Sequence, residues 1–121
     1  MSAESVSGSL EIGSRTVATT VIVAVRGEID MASAPQLEAG LDEVLREAPA
    51  TVVIDMSEVG FLGSAGLSVL LGASRSHPEV DLRIVATAAA RRPMELTGLD
   101  KMLAVFDSLQ DALAVGETSP N

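Results

Sequence analysis

The sequence predicts an α/β domain in which a mixed β-sheet of four to five strands carries helices packed against it. Three observations lead there. Short runs rich in β-branched residues alternate with amphipathic stretches of helical period along the whole chain. The strand-like runs "TTVIVAV", "TVVIDM" and "DLRIVAT" are nearly continuous in apolar residues, as parallel strands covered on both faces are. The 121 residues fit one ordinary domain, and 47% of them are apolar, enough to fill a single core.

Taken in order, residues 1–8 ("MSAESVSG") and Gly116–Asn121 ("GETSPN") are small and polar. Flexible ends are expected there, around a domain spanning 9–115. Leu10–Gly13 alternates apolar and polar as a short first strand, and Gly13–Arg15 reads as a hairpin turn into a strand over Thr19–Ile29. Ser33 and Gln36 have the spacing of a capping box, with Pro35 in the first helical turn. Leu37, Leu41, Val44 and Leu45 then share one stripe of a helix of about four turns.

Thr51–Met56 predicts a second buried strand, followed by a bend through "SEVGFLG". Ser64–His77 predicts a helix with Leu67, Leu70 and Leu71 facing the core. Asp81–Thr87 is a third core strand, and Ala89–Leu103 a short helix closed near Gly98. Val105–Val115 gives a very short strand and a last helix capped by Asp107 or Ser108.

Composition removes several function classes. A net charge of −9 disfavours nucleic acid and anionic membrane surfaces, which recruit clustered cations. Phe61 and Phe106 are the only aromatics, so base-stacking platforms are missing. Without cysteine there is no thiolate chemistry and no zinc–thiolate site. The N-terminus lacks a secretory pattern, and the apolar run Thr16–Val25 is too short to span a bilayer, so a cytoplasmic protein is expected. No Walker or dinucleotide glycine pattern is present, and no cofactor or metal is predicted.

Ligands of open α/β sheets gather where strand ends meet helix starts. Three loops are expected there: Gly27–Ser33, Asp55–Ser64 and Thr87–Arg92. They carry Asp30, Asp55, Ser57, Ser64, Thr87, Arg91 and Arg92. Asp30 and Asp55 read first as turn residues, and Arg91 with Arg92 as a solvated pair. Ser64 stands between Gly63 and Gly66 at a helix start. There it fits a helix cap, and it equally fits an exposed hydroxyl whose surroundings tolerate an anion. A nucleophilic serine would need His77, which lies about 20 Å further along the same helix at 1.5 Å per residue. An enzyme is therefore not expected.

The segments "RGEIDMASAPQLEAGL", "VVIDMSEVGFLGSAGLSVLL" and "LRIVATAAARRPMELTGLDKMLAVFDSLQDAL" together resemble a STAS domain. More closely, they resemble a bacterial anti-sigma factor antagonist, from about residue 8 to 115. The motifs are G-E-[IL]-D before the first helix, D-x-S-x-V-x-F-[LM]-x-S-x-G-L at the strand–helix junction, and L-T-G-L-x-x-x-[LF] before the last strand.

The resemblance implies an unmodified protein that binds an anti-sigma factor, itself a serine kinase, and so frees a sigma factor. It implies phosphorylation of Ser64 by that kinase, dissociation of the pair, and reversal by a PP2C-type phosphatase. It places Asp30, Asp55, Ser57, Gly63, Ala65 and Gly66 around the acceptor as partner-binding residues, in a monomer or weak dimer. Two positions depart from the pattern. Gly63 stands where relatives often have Asp, and Ala65 where they often have Ser or Thr, which leaves Ser64 without a neighbouring acceptor. The alternative is an unphosphorylated STAS adaptor or subunit of a transporter or signalling complex that senses a nucleotide.

Overall fold

The computed structural model describes residues 10–114, so the expected flexible ends at 1–8 and 116–121 lie outside the described residues. The elements run β1 (Glu11–Val17), β2 (Thr20–Ile29), α1 (Ala34–Leu45), β3 (Thr51–Leu62), α2 (Ser64–Ser76), β4 (Asp81–Ala86), α3 (Ala88–Thr97), a 3-10 turn (Leu99–Lys101), β5 (Ala104–Phe106) and α4 (Leu109–Ala114). The five strands form one sheet in sequence order. β1 is antiparallel to β2, and every later neighbour is parallel. The predicted α/β class and mixed sheet are what the chain adopts.

Two unequal layers cover the sheet. On one face Leu37, Leu41 and Leu45 of α1, Leu67 and Leu70 of α2, and Ala90 and Met94 of α3 bury Val23, Val25, Ile54 and Ile84. On the other face α4 covers Ile22, Val53 and Val85 with Ala112, Leu109 and Leu113. Adjacent strand residues are therefore buried on opposite faces, which is why these runs carry no alternation. α4 is only six residues long, so its layer is local. Beyond it Ala24, Arg26 and Glu28 of β2 are exposed, and that half of the strand is covered on one face only. Arg83 is buried beneath α4 and donates to the Ala112 carbonyl at 2.6 Å and to Asp81 at 2.7 Å. A guanidinium at the end of a short helix satisfies a terminal carbonyl that would otherwise be orphaned.

Several boundaries differ from the sequence reading. The first strand continues through Val17, and the chain reverses at Ala18–Thr19 instead of Gly13–Arg15. Polar residues are tolerated in β1 because it lies on the sheet edge and most of it is exposed. The Ser33–Gln36 capping box does not form. Gln36 instead donates through Nε2 to the Leu10 carbonyl at 2.7 Å, and Ser33 serves the preceding loop. α1 accordingly spans 12 residues, less than the four turns expected with flanking residues. The expected bend after Met56 is strand: β3 stays paired to β2 as far as Ile29–Leu62. Two register shifts in that pairing, with Gly27 at φ 116, break the apolar alternation that would have disclosed it. The last helix is capped by Ser108, whose Oγ accepts the Asp111 N–H at 3.1 Å, rather than by Asp107. Leu71 is half-buried, less inward than Leu67 and Leu70.

The first turn of α2 lies directly on the sheet. A Cβ at Gly66 would stand 2.5 Å from Ile29 Cγ2 and 2.6 Å from Leu62 Cδ1, and both side chains are fully buried. Gly72 in the same helix has open space around it. Gly66→Ala should therefore cost about 1–3 kcal/mol through overpacking. Gly72→Ala should gain about 0.5–1 kcal/mol through helix propensity. Urea unfolding of both variants tests the contrast, and equal effects would contradict the packing argument.

Candidate functional site

The carboxyl edge of the sheet is stepped. β4 stops at Ala86, opposite Met56, while β2 and β3 run on together as a two-stranded ribbon. The lower step holds Asp55, Ser57 and the start of α3. The upper step, where the ribbon ends at Ile29 and Leu62, holds the Asp30 loop and the start of α2. Asp55 pairs with Ala24, five positions before Ile29, so the steps are about 16 Å apart along the strand at 3.3 Å per residue. The expected cluster of Asp30, Asp55, Ser57 and Ser64 thus separates into two.

At the upper step the Gly63 N–H donates to the Ile29 carbonyl at 2.9 Å and ties the two loops together. Gly63 is the N-cap of α2, in extended conformation, and its carbonyl accepts from Gly66 at 3.0 Å and Leu67 at 3.1 Å. Ser64 is the first helical residue rather than the cap, and its hydroxyl makes no capping bond. Its side chain is exposed. Among the described residues the N–H groups of Ser64 and Ala65 have no acceptor. They are the open donors that every helix start presents, at the positive end of its dipole.

The adjoining loop is braced from within. Asp30 Oδ1 accepts from Ala32 N–H at 2.9 Å and from Ser33 N–H at 3.0 Å. The buried Ser33 hydroxyl donates to the Glu28 carbonyl at 2.7 Å and accepts the Asp30 N–H at 3.0 Å. The Ser33 N–H, followed by its hydroxyl and the Ala32 N–H, holds the Asp30 carboxyl below its ordinary value of 3.8, against a smaller opposing effect of desolvation. Asp30 is thus a fixed negative charge beside the Ser64 helix start.

Two apolar side chains flank this end. Met31 is 82% exposed and Phe61 is 49% exposed. The Phe61 ring lies over Gly63, whose added Cβ would meet Cε2 at 3.2 Å. Sequence reasoning passed over Met31, Phe61 and the Ser33 brace. Phe61, one of two aromatics in a polar-flanked segment, was the available signal.

The remaining candidates have local partners. Asp55 Oδ1 accepts the Ser57 N–H at 3.0 Å. Arg91 reaches Asp107 at 2.5 Å and Glu95 at 3.5 Å, so it is paired rather than solvated, while Arg92 is exposed. Gly66 is buried, and its part in the site is to let the helix dock. His77 caps the opposite end of the 13-residue helix α2 and sits 3.7 Å from Glu79, far from Ser64. A groove of about 640 Å³ runs between β1 and the end of α1 and touches none of these residues. Among the described residues no group of three or more candidate ligands could hold a metal ion. None of their helices is long and apolar enough to cross a membrane. Ser64 is therefore an exposed surface hydroxyl at a helix start.

Residues 11–112 match the STAS domain family. The chain belongs to the STAS family. The anti-sigma-F factor antagonist RsfB of Mycobacterium tuberculosis is 42% identical over 94 residues, covering 76% of this chain and 77% of RsfB. A solved anti-sigma factor antagonist from Mycobacterium paratuberculosis superposes with a TM-score of 0.86 at 39% identity, covering 90% of this chain and 95% of the other. The antagonist SpoIIAA, solved in unphosphorylated form and named a Bacillus cell fate determinant, shares the fold with a TM-score of 0.71 at 20% identity over 92% of this chain and all of SpoIIAA. The STAS domain described here thus has the sheet and helix order of that group.

The Asp30 brace sets a pH dependence. A carboxyl depressed in the folded state contributes stability above its unfolded value, and that contribution is lost as pH falls through the folded value. Carbon-detected NMR titration should place the Asp30 midpoint below 3.8, with the Ala32 and Ser33 amides shifting in step. Asp30→Asn should abolish that transition, and a midpoint at or above 3.8 would remove the brace from the account.

Proposed function

We propose that this STAS domain is an anti-sigma factor antagonist that acts in the cytoplasm, binds its anti-sigma factor when unmodified, and is switched off by phosphorylation of Ser64. The observation that carries the reading is the exposed Ser64 hydroxyl at an open helix start, at an end of the sheet flanked by the exposed Met31 and Phe61. The 42% identity to RsfB favours this reading over a transporter or signalling adaptor. The partner is a serine kinase, and a PP2C-type phosphatase returns the protein to its binding form.

The chemistry of the switch follows from the site. A phosphate on Ser64 adds about −1.5 to −2 charges at neutral pH. The Ser64 and Ala65 N–H groups and the helix dipole accept that charge locally, and no core residue has to move. The fold therefore survives modification. In a docked complex the same charge loses water and meets whatever carboxylates the partner brings, beside the fixed charge of Asp30. One like-charge pair at about 5 Å and an effective dielectric of about 20 costs roughly 3 kcal/mol. At about 1.4 kcal/mol per decade, that is a hundredfold loss of affinity or more. One modified hydroxyl suffices to release a moderately tight partner.

Intact-mass analysis after incubation with the cognate kinase and ATP should show one added phosphate, located at Ser64. Ser64→Ala should bind the kinase yet take no label, and a labelled alanine protein would move the acceptor elsewhere. Ser64→Glu should keep the thermal midpoint of the parent and bind about a hundredfold more weakly in calorimetry. Equal affinity would refute the electrostatic argument. Gly63→Asp should remain folded, because the backbone there is extended and only the half-exposed Phe61 ring must yield. It should be phosphorylated at least as fast as the parent if the kinase reads a carboxylate at that position.

A further inference from the structure

The free edge of β1 has a self-complementary pattern. β1 is the first strand of the sheet and pairs only with β2. Its two-residue loop closes on the pair Val17–Thr20, so the odd-numbered residues Glu11, Gly13, Arg15 and Val17 direct their backbone groups to β2. Ile12, Ser14 and Thr16 direct theirs outward, and among the described residues those outward groups have no acceptor or donor. The strand has neither Lys nor Pro, and its only charges, Glu11 and Arg15, are of opposite sign. β5, at the opposite edge, is only three residues long.

We propose that β1 pairs antiparallel with β1 of a second copy about a two-fold axis at Gly13, joining two sheets into one of ten strands. Hydrogen-bond parity and charge both select this register. Antiparallel neighbours must match outward-pointing residues with each other, which requires the axis to pass through a residue. An axis at Glu11 or Arg15 sets like charges against each other, and an axis at Ile12 or Ser14 leaves the charges unmatched. At Gly13 the facing pairs are Glu11 with Arg15 on both sides of the axis. These are non-hydrogen-bonded positions, where cross-strand side chains come closest. Ile12 and Ser14 exchange the backbone hydrogen bonds, four in all. The two glycines meet on the axis, where no side chain intrudes.

Other features fit this occupant. The charged residues lie on the sheet face that α4 leaves open, so nothing in the described chain covers them. Glu11 lies 3.9 Å from Arg26 in a loose exposed contact, and among the described residues Arg15 has no ion-pair partner. Because the two copies run antiparallel, their Ser64 ends emerge at opposite ends of the joined sheet. Dimerisation thus leaves both partner sites open and does not depend on the reading of Ser64.

Sedimentation velocity of the full chain across micromolar to millimolar concentration tests the proposal. The parent should shift from one to two chains per particle. Glu11→Arg and Arg15→Glu should each remain at one, and the double variant E11R/R15E, which exchanges both charges, should recover the shift. Ser14→Pro should also remain at one chain, since it removes an outward N–H and none that bonds to β2. Its circular dichroism should match the parent and so separate loss of pairing from loss of fold. A parent monomeric throughout, a dimer that persists in Ser14→Pro, or a double variant that stays monomeric would each overturn the seam.

Discussion

The close approach of α2 to the sheet at Gly66 is the constraint on which the functional end depends. With no Cβ at that position, the first turn of the helix settles onto Ile29 and Leu62. That contact fixes where α2 begins, and hence where Ser64 stands. It also aligns Gly63 so that its N–H reaches the Ile29 carbonyl. Through one carbonyl the end of β2 and the start of α2 share a frame. The Asp30 loop, braced by Ser33, grows directly from that frame. The surface hydroxyl is thereby positioned by buried aliphatic contacts, and the Asp30 carboxylate by hydrogen bonds anchored on the same frame.

This division of labour suits a modifiable surface. The stabilising interactions lie below the site, in Ile29, Leu62, Leu67 and Leu70, all buried. The groups that would meet a phosphate lie above it and have no structural duty. Ser64 does not cap its helix, since the Gly63 carbonyl already accepts from Gly66 and Leu67. A charge added there alters the surface potential without withdrawing a hydrogen bond from the core. A capping serine would couple modification to helix stability through a loss of about 1 kcal/mol.

The sheet's order of strands and helices was legible in the sequence because buried parallel strands and amphipathic helices differ in period. Leu37, Leu41 and Leu45 mark α1 as plainly as Val52, Val53 and Ile54 mark β3. The extension of β3 was not legible. Val59 and Leu62 are buried three residues apart, a spacing that breaks the strand period of two and mimics a helical one, because a bulge shifts the ribbon between them. That one error merged the two steps of the carboxyl edge and grouped Asp55 and Ser57 with Ser64. Ser33 shows a different limit. Its spacing to Gln36 satisfied a capping rule, yet both side chains found better partners far away or behind them, at Leu10 and Glu28. Local motifs list what a side chain can bond, and tertiary packing decides which bond it makes.

The glycines on either side of Ser64 look alike in the sequence and differ in physical status. Gly66 is required by the fold, because any side chain there would collide with buried atoms. Gly63 is not, since its backbone is extended and its nearest obstacle is a half-exposed ring. An aspartate at 63 would place a second carboxylate against the phosphate site, opposing the charge that the helix start favours. With glycine the site keeps Asp30 as its fixed negative neighbour and lets Phe61 fold over the vacant position. What the chain gives up in a charged recognition element it gains in exposed apolar surface at the same spot. On the function proposed for this end, Phe61 and Met31 would supply the contact area and Ser64 the sign.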